Sequence, residues 1–429
     1  MLIADLHIHS RYSRACSPEL TLENIAKWSA IKGLNLVSTG DFTHPAWFKN
    51  IEEKLAEDGS GFLKLKKSLI SANPSFGKRG CEPCFILGTE VSCIYSQGGK
   101  VRRVHLCLFF PTLAGVRKFN EKLTGAGKNL KSDGRPILGL LAKDVLKIIK
   151  EIDERAMMIP AHAWTPWFSV FGSKSGFDSL KECFEELTSE IFAIETGLSS
   201  DPAMNWRLSA LDKIALVSNS DAHSLPNIGR EANVFNLDIT KTNYDEFFQT
   251  IKNKNPAKFL KTIEFYPEEG MYHYDGHRAC GVSFTPRESK KNKGMCPVCK
   301  RPLVIGVLNR VEELADREDG FVPDGAVPFV SLVELDKILA EVLGLKSRKS
   351  VAVARIFDEM LKKGGSELKI LMDLSYEELS EIAEPMVVEG IKRMREKRLK
   401  IKPGFDGQYG EVTIFSPEEK KGRQKKLFE

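Results

Sequence analysis

The sequence lacks any apolar run of the roughly 20 residues that a membrane-spanning helix requires. Its first residues, MLIADLHIHS, also lack the basic and then apolar layout of a secretion signal. The nine cysteines are an odd number, which does not suit a complete disulfide framework. We therefore expect no membrane partner and a reducing, cytoplasmic location.

Charge of either sign is not in large excess. Lysine and arginine total 63 against 58 aspartates and glutamates, which gives a net charge of +5 and permits a polyanionic partner without requiring one. Hydrophobic residues make up 42% of the chain, an ordinary globular proportion that excludes wholesale disorder. At roughly 150 residues per domain, the 429 residues suggest two or three domains.

Short aliphatic runs alternate with amphipathic helical stretches, such as Leu20 to Lys32, in the first half of the chain. This alternation predicts an α/β fold with a parallel sheet and helical crossovers. The predicted strands are Met1 to Leu6, Leu34 to Ser38, Phe85 to Leu87, Val104 to Phe110, Ala156 to Ile159, Ile191 to Ile194 and Ile214 to Val217.

Metal-binding residue types follow these strands. The chain has only eight histidines, and six of them lie at or just after predicted strand ends. His7 and His9 are two residues apart, so both imidazoles face the same side and can share a metal. Asp221 and His223 repeat the spacing, and Glu90 offers a carboxylate able to bridge two cations. Nitrogen and oxygen ligands suit zinc, manganese or iron better than calcium.

The motifs DLHIHS, TGDFTH, LGTE, VHLCLF, IPAHAW, IET and SNSDAHS resemble, in this order, the polymerase and histidinol phosphatase (PHP) superfamily. The resemblance spans about residues 1–265 and implies a distorted (β/α)7 barrel that hydrolyses phosphoesters. It implies two or three divalent metal ions in the barrel, which are zinc, manganese or magnesium. The implied metal ligands are His7, His9, Asp41, Glu90, His105, His162, Asp221 and His223.

The chain departs from the superfamily pattern in two places. Members usually carry Asp-His after the second strand, whereas here Asp41 is followed by Phe42, so Asp41 or His44 supplies that ligand. Another acid or histidine often follows the first histidine pair, yet residues 10–18 offer only Cys16. Two metals are therefore expected, and the presence of a third stays open.

The run IPAHAWTPWFSVFGSKSGF, the EFYPEEGMYHYDGHRAC junction and the cysteines that follow resemble the endonuclease Q family. This resemblance covers nearly the whole chain. It implies DNA repair by hydrolysis on the 5′ side of deaminated bases (hypoxanthine, uracil or xanthine), with abasic sites as a further candidate. Metal-activated water is the implied nucleophile, and Glu195 or Asp41 is either its base or an added ligand. The implied setting is a prokaryotic cytoplasm, at the nucleoid when the protein is on DNA.

An aromatic stretch directly follows His162. Pro166 and Gly172 interrupt it, and it has neither helical nor strand periodicity, which favours a shaped loop over a packed element, although buried aromatics are commonly just core. Such a loop suits the stacking of an extruded base. The candidates for base recognition are Trp164, Trp167, Phe168 and Phe171, with Trp47 and Phe48 as weaker ones.

A second metal site is predicted beyond the barrel. His277, Cys280, Cys296 and Cys299 have zinc-finger spacing, and four ligands indicate a structural zinc, with His273 competing for the histidine position. The loop between the two halves carries Arg287, Lys290, Lys291 and Lys293, which are candidate phosphate contacts or simply solvated charges. A further pair, Cys81 and Cys84, has no assigned role.

The predicted domains are a barrel at 1–265, a zinc-binding module at 266–305, a helical C-terminal domain at 306–403 and a flexible tail at 404–429. In that tail Gln424, Leu427 and Phe428 resemble a shortened sliding-clamp-binding peptide, which makes a DNA sliding clamp a candidate partner.

Two rival functions follow from the same residues. A PHP-type phosphatase for small molecules would explain the barrel site but gives no purpose to the cysteine module or the basic segment at 391–400. A non-catalytic DNA-binding protein with a degenerate metal site is favoured by Phe42 and by the empty stretch at 10–18.

Overall fold

The protein is built around a central mixed β-sheet. The computed structural model describes residues 1–71, 82–416 and 419. The strands are β1 (Leu2–Asp5), β2 (Leu36–Ser38), β3 (Leu55–Glu57), β4 (Leu63–Leu65), β5 (Cys84–Gln97), β6 (Lys100–Phe110), β7 (Met157–Pro160), β8 (Ala193–Glu195), β9 (Ala215–Val217), β10 (Ala232–Phe235), β11 (Phe259–Glu264), β12 (Asp275–His277), β13 (Val282–Phe284), β14 (Phe329–Ser331), β15 (Lys400–Lys402) and β16 (Glu411–Thr413). The helices are α1 (Leu22–Lys32), α2 (Pro45–Lys54), α3 (Lys67–Ser71), α4 (Leu113–Gly125), α5 (Ala142–Ile152), α6 (Leu180–Phe184), α7 (Pro202–Asn205), α8 (Tyr244–Asn253), α9 (Pro286–Lys291), α10 (Val307–Leu314), α11 (Leu335–Val342), α12 (Val351–Gly364), α13 (Glu367–Met372), α14 (Tyr376–Ile382) and α15 (Pro385–Arg395).

Seven strands close into the distorted barrel that the sequence predicts. β1, β2, β5, β6 and β7 are hydrogen-bonded neighbours in that order, and β8 pairs with β9. The Ala163 amide donates to the Glu195 carbonyl at 2.9 Å and joins the β7 side to β8. The His9 amide donates to the Ala222 carbonyl at 3.1 Å and returns the β9 side to β1. The carboxyl ends of β1, β2, β8 and β9 therefore open on one mouth.

The sheet is less parallel than the sequence predicts. β1–β2, β2–β5 and β8–β9 are parallel, but β5–β6, β6–β7 and β1–β10 are antiparallel. The reason is local at β5 and β6, because Gly98 and Gly99 have φ of 60° and 72° and form a two-residue hairpin turn in place of a helical crossover. β5 and β6 are also much longer than the apolar runs indicate.

Helix α1 shows why the predicted helix forms and where it stops. Thr21 caps its start, since the side-chain hydroxyl accepts from the Asn24 amide at 3.3 Å. Gly33 ends it with φ of 96°. A Cβ at Gly33 would lie 2.4 Å from the Ser366 hydroxyl, so glycine is also needed for the C-terminal helices to approach this close.

The chain returns to the barrel after the cysteine module. β14 pairs in parallel with β11, and α11 to α15 follow it as the helical region that the sequence predicts. Residues 404–415 differ from the predicted flexible tail, because Ile414 and Phe415 are buried and their amides donate to Glu341 at 2.9 and 2.8 Å. These apolar side chains give the segment a packed face that its turn-rich composition conceals.

Several predictions lie outside the described residues or are not tested. Cys81 and the clamp-type residues Gln424, Leu427 and Phe428 fall in segments that the structure does not describe. The domain boundaries at 265, 305 and 403 stay predictions. Among the described helices, none is long and apolar enough to cross a membrane.

A buried ion pair fastens the helical region to the barrel. The Lys32 Nζ atom on α1 lies 2.7 Å from Glu367 Oε2 on α13, and both side chains are at most 4% exposed. Glu367 Oε1 accepts from the Leu335 amide at 3.0 Å. The carboxylate therefore ties α1, α13 and the start of α11 together.

We expect Lys32→Met to lower the free energy of unfolding by about 3 to 5 kcal/mol, because it leaves a buried carboxylate without its counter-charge. Urea denaturation measures this. Lys49→Met removes a 75% exposed lysine from its pair with Glu53 and should cost less than about 1 kcal/mol. Equal losses in the two variants would contradict the prediction.

A second buried carboxyl lies at the end of β11. Glu264 accepts hydrogen bonds from the hydroxyls of Thr262 at 2.5 Å and Thr196 at 3.0 Å. Burial, with Asp201 adding to it, raises the pKa of Glu264 from 4.5 to about 8. Between these pH values the folded protein holds a proton that the unfolded chain releases, so this group's contribution to stability falls as pH rises from about 5 to 8.

The variant Glu264→Gln has no titrating group at this position. We therefore expect the Tm of Glu264→Gln minus the Tm of the native protein to increase as pH rises from 5 to 8. Glu154→Gln, at an exposed position, is the matched control and should show no such trend. A pH-independent difference for Glu264→Gln would refute the assignment.

Candidate metal centre

The carboxylate of Glu90 on β5 lies at the centre of the barrel mouth. Its Oε1 atom is 2.8 Å from His105 Nδ1 and 3.0 Å from His162 Nε2. Its Oε2 atom is 3.4 Å from His9 Nε2 and 3.7 Å from His7 Nε2. Each oxygen thus faces a different pair of imidazoles, which suits a carboxylate in a site for divalent cations.

Asp221 and His223 extend this cluster towards solvent. Asp221 Oδ1 lies 3.0 Å from His9 Nε2 and 3.5 Å from His223 Nδ1. The side chains of Asp221 and His223 are 23% and 31% exposed, whereas that of His9 is fully buried. The structure therefore brings seven of the eight predicted ligands together, in the overlapping groups His7–His9–Glu90, Glu90–His105–His162 and His9–Asp221–His223.

The donor set fits divalent metal ions. Glu195 Oε2 lies 3.0 Å from His7 Nδ1, and Asp41 Oδ1 lies 3.0 Å from His9 Nδ1, so each imidazole presents its Nε2 atom to the cluster. His7 Nε2 is buried and has no hydrogen-bond partner among the described residues. A carboxylate behind a ligating histidine is the usual way to fix the ring and raise its basicity.

Asp41 and Glu195 lie at the Nδ1 atoms of His9 and His7, on the side of each ring away from Nε2. Asp41 Oδ2 accepts from the Ser10 amide and the Ser13 hydroxyl at 2.6 and 2.9 Å, and Asp41 joins none of the candidate metal groups of the described residues. Glu195 accepts from the His162 amide at 2.7 Å. Asp41 therefore lies outside the candidate groups of the described part of the chain, whereas Glu195 forms one with His7 and Cys107. The roles of the two acids as added ligands, or as the base that activates water, stay predictions.

The alternatives around Asp41 are also settled by position. His44 stacks on Tyr12 with ring centroids 4.4 Å apart, and its Nε2 atom lies 3.3 Å from the Lys131 carbonyl oxygen. Neither His44 nor Cys16 belongs to a candidate metal group among the described residues. A thiol that the sequence did not indicate does approach, since Cys107 groups with His7 and Glu195.

The electrostatics of the cluster favour bound positive charge. Burial lowers the pKa of His105 to about 4 although Glu90 opposes it, so this imidazole is neutral at neutral pH. Burial also disfavours charge on His9, but Asp41 and Asp221 raise the pKa of His9 well above its usual value. The carboxylates therefore hold a proton where a metal ion can replace it.

Three of the predicted ligands have strained backbone. His162, Asp41 and Asp221 have φ of 29°, 46° and 45°, in the left-handed region that residues with a Cβ rarely adopt. Phe168, which follows closely, has φ of 61°. Strain of this kind is typical of functional sites, where the surrounding contacts fix side chains that the backbone alone would aim elsewhere.

Arg135 is the functional candidate that the sequence analysis missed. Its Nη1 atom lies 3.0 Å from Glu90 Oε2, and its side chain is 23% exposed. It is the one lysine or arginine that forms an ion pair with a candidate ligand in the described part of the chain. A single arginine in a loop far from any strand end carries no sequence signal.

The aromatic loop after His162 splits into two parts. Trp164 and Phe171 are buried against each other, with ring centroids 4.8 Å apart, and the Trp164 indole donates to Asn205 at 2.8 Å. The prediction that these two rings contact a base is therefore wrong for this conformation, because stacking needs an accessible face. Trp167 is 38% exposed, and the half-buried Phe168 ring lies 4.6 Å from His105. Trp47 and Phe48 belong to the core.

The loop is held from the far side by α10. Arg310 on this helix is 7% exposed and donates from Nε to the Phe171 carbonyl at 3.0 Å and from Nη2 to the Phe177 carbonyl at 3.1 Å. α10 comes directly after the cysteine module along the chain.

The cysteine module brings its four predicted ligands together. The ligand atoms of His277, Cys280, Cys296 and Cys299 all lie within 4.8 Å of one another. His273 is excluded from this group, because it is buried and stacks on Tyr274 with ring centroids 5.3 Å apart. The four basic residues of the intervening loop, Arg287, Lys290, Lys291 and Lys293, are exposed.

Comparisons with known proteins match the whole chain. The crystal structure of the lesion-specific endonuclease PfuEndoQ from Pyrococcus furiosus is 33% identical with a TM-score of 0.82, over 98% of this chain and 96% of that one. A structure of endonuclease Q in complex with a 27-mer duplex bearing an abasic lesion is 34% identical with a TM-score of 0.81, over 98% and 97% of the two chains.

Two further matches are with proteins without an assigned activity. Uncharacterized protein YqxK of Bacillus subtilis is 29% identical over 96% of this chain and 99% of its own length. Residues 334–398 match the family described as MJ0043 C-terminal domain. With a third of its residues identical over nearly the full length of two solved relatives, the chain belongs to the endonuclease Q family of metal-dependent DNA repair endonucleases.

Proposed function

We propose that this protein hydrolyses DNA on the 5′ side of deaminated bases, namely hypoxanthine, uracil and xanthine, and at abasic sites. The observation that carries the proposal is the Glu90 carboxylate with a pair of imidazoles at each oxygen, at the mouth of a barrel whose fold matches endonuclease Q. The relative bound to a duplex with an abasic lesion supports the abasic substrate.

The residues of the cluster divide the chemistry between them. Divalent metal ions, when bound by His7, His9, Glu90, His105, His162, Asp221 and His223, would activate water and neutralise charge that builds up on the phosphate. Asp41 and Glu195 keep His9 and His7 in the orientation and tautomer that present Nε2. Asp221 and His223 have partly exposed side chains, which supports the approach of DNA to the cluster from their side.

Base recognition falls to the accessible part of the aromatic loop. Trp167 offers an exposed indole, and Phe168 connects it to the cluster through its contact with His105. An extruded base can stack on such a ring, which is the general requirement of enzymes that act on single bases in a duplex. The strained backbone of Phe168 is consistent with a loop whose conformation is fixed to position the ring of Trp167.

The cysteine module is proposed to hold one structural zinc ion. Three thiols and one imidazole complete a tetrahedron and leave no open position for chemistry. Arg287, Lys290, Lys291 and Lys293 are exposed, which makes their charge accessible to DNA phosphates. A sliding clamp remains a proposed partner through Gln424, Leu427 and Phe428.

The central test uses labelled duplexes that carry uracil, hypoxanthine, xanthine or an abasic site. We expect cleavage of these and not of undamaged DNA, and we expect His9→Ala to abolish it while DNA affinity stays within about threefold, because phosphate contacts elsewhere supply most of the binding. Metal content, measured on the same preparations, should fall by at least one ion per chain.

His44→Gln is the matched control, since His44 lies at the same mouth outside the metal groups. It should cleave at the native rate. Native protein that cleaves none of the damaged duplexes would end the proposal, as would His9→Ala that cuts normally.

Base stacking is tested with Trp167→Ala. We expect cleavage at uracil and hypoxanthine to fall by roughly 5- to 150-fold, equivalent to the loss of about 1 to 3 kcal/mol of stacking. Cleavage at an abasic site should change little, because no base is present to stack. Trp167→Phe keeps a flat ring and should retain most activity.

Equal losses on deaminated and abasic substrates would show that Trp167 acts on something other than the base. Single-turnover rates on the substrates measure the difference directly.

A further inference from the structure

The segment 129–138 lies across the barrel mouth and is fastened at several points. The Gly134 amide donates to the Tyr12 carbonyl at 3.0 Å, and the Thr43 hydroxyl donates to the Gly134 carbonyl at 3.1 Å. Further along, the Leu138 amide donates to the Ser92 carbonyl at 2.8 Å. Leu130 and Leu138 at its two ends are buried in the core. We call residues 129–138 the mouth segment.

Gly134 sets how close the mouth segment comes to the cluster. A Cβ at this position would lie 2.4 Å from both Asp41 Oδ2 and the Ser13 hydroxyl. Any side chain would therefore lift the segment away from the residues that orient His9. The next residue is Arg135, whose amide donates to Asp133 Oδ1 at 3.2 Å. Its backbone is thus placed by contacts on both sides.

The guanidinium of Arg135 reaches the centre of the cluster. Nη1 contacts Glu90 Oε2 at 3.0 Å, and its remaining N–H groups have no hydrogen bonds to described residues. Burial acts to lower the pKa of Arg135, but Glu90, Asp221 and Asp133 together raise it above the usual value, and a guanidinium is charged at any working pH. A planar cation with unused donors beside a bridging carboxylate is the group that recognises phosphate oxygens.

We infer that Arg135 is a catalytic residue that binds the scissile phosphate and stabilises the negative charge of the transition state. The inference rests on the proposed function, because it needs DNA phosphate at the Glu90 cluster. Its partly exposed side chain lets DNA reach it without movement of the mouth segment, and its contact with Glu90 keeps it preorganised. The rival role is structural, in which Arg135 only balances the charge of Glu90.

The test compares Arg135→Ala and Arg135→Gln with the native protein. Glutamine can still donate one hydrogen bond to Glu90 but has no charge. We expect single-turnover cleavage to fall by about 100-fold or more in both, as when one preorganised donor to a transition-state oxyanion is removed. Metal content should stay native, and the Kd for inorganic phosphate, measured by calorimetry on the metal-loaded protein, should rise by about tenfold. Added guanidinium ion at millimolar concentration should restore part of the cleavage by Arg135→Ala.

Arg14→Ala is the matched control, because Arg14 lies beside the mouth segment, is 85% exposed and faces Asp133 rather than a candidate ligand. It should leave both rate and phosphate affinity unchanged. A native phosphate Kd in the Arg135 variants, or loss of metal in parallel with loss of rate, would overturn the inference. Failure of the native protein to cleave any lesion would count against the proposed function alone, since phosphate affinity is measured separately.

Discussion

The structure depends on the need to neutralise one buried carboxylate. Glu90 is almost completely inaccessible to water, and a charge in that position is tolerated only with close partners. Those partners come from the segment after β1, from β6, from the loop after β7 and from the mouth segment. The need to balance one carboxylate therefore brings distant parts of the chain together. His162 and Asp221 have backbone angles that are locally unfavourable, so the contacts of the cluster outweigh the local backbone preference at these two residues.

The sequence could predict much of this centre because the rule that places it is local. His7 and His9 lie two residues apart after a strand, and this spacing alone puts both rings on one side. Their positions after apolar runs singled out Glu90 and His162, although the structure places Glu90 inside β5 and not at its end. The four zinc-type ligands of the cysteine module were equally accessible, since their spacing follows from the geometry of a tetrahedral site.

The sequence could not predict the direction or the burial of individual side chains, because both depend on tertiary packing. A carboxylate after a strand looks the same whether it faces the cluster, as Glu90 does, or supports a ring from behind, as Asp41 and Glu195 do. Trp164 and Trp167 are three positions apart in one loop, yet one is core and the other is exposed. Arg135 joins the cluster through Gly134, whose missing side chain has meaning only once the opposing atoms are known.

Arg310 on α10 donates hydrogen bonds to the Phe171 and Phe177 carbonyls and so connects the C-terminal part of the chain to the loop after His162. The loop that carries Trp167 is not supported by the barrel alone, because part of its scaffold is a helix whose start is set by the cysteine module. If the module holds zinc as proposed, loss of that ion would act on α10 and, through Arg310, on the loop that carries Trp167. Under the proposed roles, the two functions would then be separable, because base selection depends on a loop supported from the C-terminal half and cleavage depends on residues of the barrel.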